Sequence, residues 1–221
     1  MTPDQQDGHV TAPLETRNRP AMVRSMTDQA FALFDTGIGR CGIAWAPFGL
    51  IGLQLPEATP GAAWARLRQR FPNAAEAPPP PPIETVIGRV LQLLAGGRDD
   101  LTGIALDPTG VAPFNLRVYE IARAIAPGQT STYGQVARAM GEPGAARAVG
   151  RALGENPWPI VVPCHRVLAA SQGRTGVGMG GFSAPGGSQT KAQLLTLERA
   201  RTSAAPTLFD LEFSVAPPRG G

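Results

Sequence analysis

The 221-residue chain has 20 basic and 17 acidic side chains, a net charge of +3, and 43% hydrophobic residues, enough to bury a core. No run of the sequence approaches the roughly 18 consecutive apolar residues of a membrane span, and the polar N-terminus lacks the apolar segment of a secretory signal. With only two cysteines, Cys41 and Cys164, a disulfide framework is not expected, and we predict a reduced, cytoplasmic protein. A four-ligand zinc site would need nearly every Cys and His of the chain, including His9, so we predict no metal site.

The basic charge is concentrated in one part of the chain. Residues 1–109 carry 9 basic and 11 acidic side chains, residues 110–201 carry 10 and 4, and residues 202–221 carry 1 and 2. A localised basic excess is what binding to phosphates of nucleic acid needs. An ordinary solvated basic face explains the charge equally well, so charge alone does not decide between the two interpretations.

The N-terminal half shows a pattern typical of a small α+β domain. Three short apolar runs, separated by Gly and Pro, predict an antiparallel meander; they cover residues 30–34, 41–46 and 50–55. Two amphipathic helices are predicted at residues 61–71 and 83–95. The proline run at residues 78–82 is interpreted as a stiff spacer between them. Nothing in this half carries obvious chemistry.

The second half predicts mostly helices. Apolar residues at helical spacing indicate a helix that begins at Pro113. Thr132 and Gln135 fit a capping box that starts a second helix, ending near Met140. A glycine-containing turn and a third helix at residues 145–155 follow, so the pair is interpreted as a helix-turn-helix.

These patterns predict the fold class and the domain organisation. We expect an α/β fold of the α+β type, in which a small antiparallel-sheet domain precedes a mainly helical domain with a helix-turn-helix. The predicted segments are a disordered arm at 1–26, an N-terminal domain at 27–108, a C-terminal domain at 109–201 and a flexible tail at 202–221.

The helix at 145–155 has an unusual composition. Apart from Arg147 and Arg151, which share a face at spacing i, i+4, its exposed positions are small, including Ala146 and Gly150. A smooth helix with paired arginines suits close approach to DNA, including the minor groove. A small-residue helix packed tightly against another helix has the same composition, and both interpretations remain open at this point.

Cys164 and His165 form the most informative pair in the chain. The apolar run at 160–162 and Pro163 deliver the cysteine rigidly. A lone cysteine is more often inert, but a neighbouring histidine can supply the base that a thiolate nucleophile needs. Because adjacent side chains of an extended segment point in opposite directions, contact between the two requires a turn or a bridging water.

Glu198 is the predicted partner of His165. On the helix predicted at residues 189–199 it shares one face with Lys191, Leu194 and Leu195. A carboxylate on a leucine face is costly unless it is paired. The sequence allows either His165 or a nearby arginine as that partner.

The motifs of the second half resemble those of the methylated-DNA–protein-cysteine methyltransferases, also called O6-alkylguanine-DNA alkyltransferases. The matching residues are TSTYGQVA at 130–137, AARAVG at 145–150, NP at 156–157, IVVPCHRV at 160–167, GFS at 181–183 and K-x-x-L-L-x-x-E at 191–198. They keep their order at close to the family's spacing. The resemblance is strong from about residue 113 to residue 198 and thin in the N-terminal half.

The resemblance implies a catalytic set. Cys164 is then the alkyl acceptor, His165 takes its proton through a water molecule, and Glu198 orients the histidine. Asn156 fixes the turn between the DNA-binding helix and the active-site loop. Tyr133 donates a proton or a hydrogen bond toward guanine O6 as the base leaves.

The resemblance also implies a set that binds the substrate. Arg147 is then the finger that fills the gap left by a flipped base, on a DNA-contacting helix that includes Ala146, Gly150 and Arg151. The backbone around Cys164 and Val167 accepts a hydrogen bond from the guanine amino group. Phe182 replaces the family's more usual tyrosine as a pocket wall, and Ser183 backs the O6 position.

The implied function is DNA repair by irreversible transfer of an alkyl group from O6-alkylguanine, or O4-alkylthymine, to Cys164. The partner is double-stranded DNA, the protein is a monomer outside the membrane, and no cofactor is needed. Two features depart from the family pattern: a longer glycine-rich loop at 178–190 and the absence of the N-terminal zinc ligands that some members have.

Two other functions are weighed against transfer. An alkyltransferase-like protein binds lesions without transfer and typically has tryptophan in place of the acceptor cysteine, whereas this chain has Cys164. A Cys–His hydrolase would turn over and would need an oxyanion hole, and it would leave the helix-turn-helix and the basic half unexplained.

Overall fold

The computed structural model describes residues 28–170 and 177–200. The predicted arm at 1–26 and tail at 202–221 lie outside the described residues. Among the described residues, no helix is long and apolar enough to cross a membrane.

The N-terminal half is built on a four-stranded sheet. Its strands are β1 (Ala30–Thr36), β2 (Gly39–Ala46), β3 (Gly49–Gln54) and β4 (Ala75–Glu76), in the order β3-β2-β1-β4. The first three are antiparallel neighbours, as the three apolar runs predict, whereas β4 lies parallel to β1. Gly49 permits the turn into β3, since its φ is +147° and an added Cβ would lie 2.6 Å from the carbonyl oxygen of Ala105.

Two helices cover this sheet. Helix α1 (Pro60–Arg70) packs Leu67 against Phe31 and Ala44, and helix α2 (Pro81–Leu94) contributes Val90 and Leu93 to the main core. The proline spacer was predicted two residues too long. Pro81 and Pro82 form the first turn of α2, where proline's fixed φ suits a helix and its missing N–H costs nothing.

The C-terminal half contains four helices and a 3₁₀ turn among its described residues. They are α3 (Pro113–Arg123), α4 (Tyr133–Ala139), α5 (Ala146–Gly154), the turn Cys164–Arg166 and α6 (Ser188–Leu197). The capping box of α4 is formed as predicted: Thr132 Oγ1 accepts from the backbone N–H of Gln135, whose side chain accepts from the N–H of Thr132.

Three short strands join these helices and were not predicted. They are β5 (Ser131–Thr132), β6 (Val167–Ala170) and β7 (Val177–Gly178), in the order β5-β6-β7. Strand β6 lies parallel to β5 and antiparallel to β7. This sheet places the start of α4 beside the segment that follows Cys164.

The N-terminal sheet supports the segment that leads to Cys164. One buried cluster runs through both halves. Strand β3 contacts the segment by backbone hydrogen bonds, since the N–H of Leu53 donates to Pro157 O (2.9 Å) and the Trp158 indole donates to Leu50 O (2.8 Å). Arg70, at the end of α1, also donates to Pro157 O (3.2 Å). The first half therefore fixes the position of a loop in the second.

Candidate active site

Asn156 shapes the loop between α5 and Cys164. Its amide donates to Val162 O (2.8 Å), and its side-chain oxygen accepts from the N–H of Trp158 (2.9 Å). Between these contacts, Ile160 has a φ of +75°, an unfavourable conformation for a β-branched residue. Such strain costs about 1–3 kcal/mol and persists only where the surrounding contacts determine it. Asn156 supplies two of those contacts.

Cys164 opens the 3₁₀ turn and is buried. Burial raises the pKa of its thiol overall, and the charge of Lys191 and the nearby N–H groups offset that rise only in part. The thiol is therefore the resting form, so nucleophilic attack needs a base that removes its proton.

His165 contacts the carboxylate predicted for it. Its Nε2 lies 2.9 Å from Glu198 Oε1, and the two side chains are 1% and 4% exposed. Burial lowers the pKa of His165, although Glu198 acts to raise it. The lowered pKa favours the neutral ring. With its proton on Nε2 facing the carboxylate, the ring has a lone pair on Nδ1. That atom is buried and has no hydrogen-bond partner among the described residues.

Glu198 binds an arginine as well as the histidine, so the two alternatives left open by the sequence are both realised. Arg166 Nε donates to Oε2 (2.8 Å) and Nη2 donates to Oε1 (2.7 Å). Although burial alone would raise it, hydrogen bonds from His165 and Arg166 hold the pKa of Glu198 at about 2. Sequence reasoning missed Arg166, and its only signal was its place beside His165.

Lys191 is a second residue of the site to which sequence reasoning assigned no role. It is fully buried, donates to Val167 O (2.7 Å), and lies 5.8 Å from the centroid of the Tyr133 ring. Burial lowers its pKa to about 8, against the effect of Cys164, which raises it. Its signal in the sequence was a lysine on the leucine face of α6.

A cavity of about 880 Å³ opens above Cys164. Seven residues predicted for the site line it: Tyr133, Ala146, Arg147, Gly150, Cys164, Phe182 and Ser183. A second cavity of about 480 Å³ shares Gly154, Phe182 and Ser183 with the first. The Ser183 hydroxyl donates to Gly154 O (2.8 Å). Asn156 lines this second cavity, and Cys164 lines both.

The other predicted residues lie outside the larger cavity. The carbonyl of Val167 accepts from Lys191, and Arg151 is exposed one turn beyond Arg147 on α5. Arg147 is exposed as well. Across residues 28–170 and 177–200, no group of three or more His, Cys, Asp or Glu side chains is placed to hold a metal ion.

The chain is similar to known proteins over most of its length. A family profile described as the DNA-binding domain of 6-O-methylguanine DNA methyltransferase matches residues 113–200. A methylated-DNA–protein-cysteine methyltransferase of Mycolicibacterium paratuberculosis is 47% identical over 125 residues, which cover 56% of this chain and 71% of that protein.

Solved structures show the same likeness. Mycobacterium tuberculosis OGT in complex with DNA matches with a TM-score of 0.62 at 31% identity, over 79% of this chain and 96% of that one. The O6-methylguanine-DNA methyltransferase of Pyrococcus kodakaraensis matches with a TM-score of 0.56 at 26% identity, over 76% and 98%.

Proposed function

Because the chain belongs to the methylated-DNA–protein-cysteine methyltransferases, enzymes that repair DNA by transferring an alkyl group to a cysteine of their own, we propose that Cys164 is the acceptor. The observation that carries this proposal is the position of Cys164. It opens on the cavity lined by residues of α4 and α5, and the next residue in the chain is His165, whose ring Glu198 holds. Cys41, the other thiol, is buried in the N-terminal sheet, and burial raises its pKa to about 12.

The substrate is O6-alkylguanine, or O4-alkylthymine, in double-stranded DNA. The alkylated oxygen lies inside the duplex, so the nucleotide must be flipped out of the stack before a buried sulfur can reach it. A cavity of about 880 Å³ is large enough for a flipped base. Phe182 provides an apolar wall for that base, and Ser183 lines the same cavity as Cys164, where it would back the O6 side of the base.

The reaction is a displacement at the alkyl carbon. His165 Nδ1 takes the proton of Cys164 through a bridging water, while Glu198 holds the ring by Nε2. The sulfur attacks in line with the bond to O6; a carbon–sulfur bond forms, the carbon–oxygen bond breaks, and its electron pair stays on the base. Burial raises the pKa of Tyr133, which keeps its hydroxyl protonated to donate toward O6. The proton that the base takes up balances the one that left the thiol.

The product is a thioether, which the site cannot cleave, so each protein molecule acts once. This is tested by incubating a fixed amount of protein with excess duplex containing O6-methylguanine and following the repaired fraction. The expected plateau equals the amount of active protein. Continued repair beyond one equivalent would contradict single turnover.

The DNA-binding surface is formed by α4 and α5, which act as a helix-turn-helix with α5 at the duplex. Ala146 and Gly150 leave its face smooth, and Arg147 and Arg151 project from it. Arg147 lines the cavity mouth, which suits a side chain that fills the gap left by the flipped base. We further propose that the protein acts as a monomer, with domains at 27–108 and 109–201.

Arg147→Ala is expected to slow repair of O6-methylguanine in duplex DNA by about ten- to a hundredfold, because a gap in the stack costs a few kcal/mol. Its reaction with free O6-benzylguanine, which needs no flipping, should change by less than about threefold. Single-turnover rates on both substrates test this. Arg151→Ala is the matched control. It should weaken DNA binding and lower the slope of log affinity against log salt concentration by about one, as the loss of one phosphate contact does. Equal losses on both substrates for Arg147→Ala would remove the finger role.

Gly180→Ala is expected to displace the Tyr133 ring and slow transfer. Gly180 has a φ of +67°, and an added Cβ would lie 3.1 Å from Tyr133 Cε2 and from its hydroxyl oxygen. Since small misplacements of a reacting group can cost up to about a hundredfold, we expect a loss of ten- to a hundredfold in single-turnover rate. Gly181→Ala is the control, because a Cβ added at Gly181 would meet no atom within 4 Å and the φ of Gly181 is not in the left-handed region. Equal rates for the two variants would contradict the close packing assigned to Gly180.

A further inference from the structure

The Glu198 carboxylate belongs to a network of three side chains, one more than the proposed reaction uses. Its Oε1 accepts from both His165 Nε2 (2.9 Å) and Arg166 Nη2 (2.7 Å), and its Oε2 accepts from Arg166 Nε (2.8 Å). Arg166 Nη1 donates to Ile125 O, which ties the guanidinium to the segment after α3. Arg166 is 1% exposed and Glu198 4%. A buried cation therefore shares the oxygen atom that orients the histidine.

Anchoring α6 to the 3₁₀ turn does not by itself account for this arrangement. A buried ion pair adds little net stability compared with well-packed apolar side chains, since desolvation offsets the attraction. The bidentate geometry instead fixes both carboxylate oxygens and sets the charge that the histidine ring faces.

The charged and titratable groups around His165 come from two elements. The 3₁₀ turn contributes Cys164 and Arg166, and α6 with its C-cap contributes Lys191 and Glu198. Of the charges that the described residues bring to the ring, only Glu198 favours an imidazolium, while Arg166 and Lys191 oppose it. Arg166 does so through the same oxygen atom that holds Nε2.

We propose that Arg166 is a positioning residue that keeps His165 a neutral base: it takes up the charge of Glu198, so that the carboxylate orients the ring without holding a second proton on it. This inference rests on the role proposed for His165 as the acceptor of the Cys164 proton. A proton already on Nδ1 would leave His165 unable to accept another. Loss of the Arg166 charge should therefore keep the ring protonated to higher pH. Over that pH range His165 could not act as a base.

The test measures the protonation of His165 directly, in the full chain. The chain has two histidines, so His9→Gln leaves His165 as the only ¹⁵N-histidine signal. We expect the Nε2–H tautomer, with a midpoint of protonation below the ordinary 6.5. In Arg166→Gln the midpoint should rise by about one pH unit. The acid limb of the pH–rate profile for transfer from O6-benzylguanine should shift to higher pH by the same amount. Arg166→Lys keeps the charge and should keep the midpoint within about 0.3 units, while the rate falls because the bidentate contact is lost.

A merely structural role predicts another outcome: Arg166→Gln would lower the rate by the same factor at every pH, with an unchanged midpoint, and that result overturns the proposal. Should Arg166→Gln fail to fold, the unsubstituted protein still decides, because a His165 that titrates above 6.5, or holds its proton on Nδ1, contradicts it. A midpoint that behaves as expected in a protein that transfers no alkyl group would instead count against the proposed function alone.

Discussion

Cys164→Ala is expected to abolish alkyl transfer while leaving the affinity for alkylated duplex DNA within about threefold of the unsubstituted value. The sulfur is the nucleophile of the proposed reaction, and alanine has none. The cavity walls and the exposed arginines of α5 do not depend on the sulfur. Transfer is measured with a duplex carrying a labelled O6-methyl group, and binding by fluorescence anisotropy at fixed salt, since salt sets the affinity.

Cys41→Ala is the control for this substitution. Cys41 lies fully buried in β2, and its Sγ is 3.8 Å from Thr36 Oγ1. Its loss should cost about 1 kcal/mol of stability through packing and leave transfer intact. Transfer that persists in Cys164→Ala, or DNA affinity that disappears although the fold is intact, would contradict the role assigned to Cys164.

Glu198→Gln is expected to have the largest combined effect on activity and stability. Glutamine turns one carboxylate oxygen into an N–H donor that faces the donors of His165 and Arg166, and it leaves the buried guanidinium without a counter-charge. Breaking a buried pair in this way costs about 3–5 kcal/mol. Because the histidine loses its orienting partner, the single-turnover rate should fall by about a hundredfold or more.

The stability of this variant should also respond differently to acid. The pKa of Glu198 is about 2 in the folded protein and 4.5 ordinarily. The depressed pKa therefore contributes stability that is fully present above pH 4.5 and is lost as the pH falls toward 2, about 3 kcal/mol in all. Denaturant unfolding at pH 7, 4.5 and 3 should show that the unfolding free energy of the unsubstituted protein falls with pH. Glu198→Gln should lack this fall. Glu155→Gln, which changes an exposed carboxylate beside Asn115, is the control; equal effects of the two substitutions would contradict the account.

Local patterns in the sequence predict most of the fold, and the failures have physical reasons. The long helices and the meander follow from hydrophobic period and turn residues, which act over neighbouring positions. Strands β5, β6 and β7 have two to four residues each, too few to show a period, and they exist because β6 pairs with segments more than thirty and about eight residues away. Pro81 and Pro82 begin α2, but in a run of five prolines the sequence does not show which ones belong to the helix.

The site could be predicted where chemistry and spacing coincide. Cys164 and His165 are adjacent, and Glu198 lies on a leucine face where a lone charge needs a partner. The geometry that joins them could not be predicted from the sequence. The 3₁₀ turn directs His165 and Arg166 toward one carboxylate that is 32 residues or more away in the chain. Nor does sequence show which way a lysine points, and Lys191 is turned inward to Val167 O.

Intact-protein mass spectrometry after mixing with excess duplex containing O6-methylguanine tests the central claim most directly. We predict a gain of one methyl group per chain, mapped by peptide analysis to Cys164, with no further change on longer incubation. An unchanged mass with the DNA still bound would contradict transfer and favour a lesion-binding protein. A methyl group found on any residue other than Cys164 would contradict the site proposed for it.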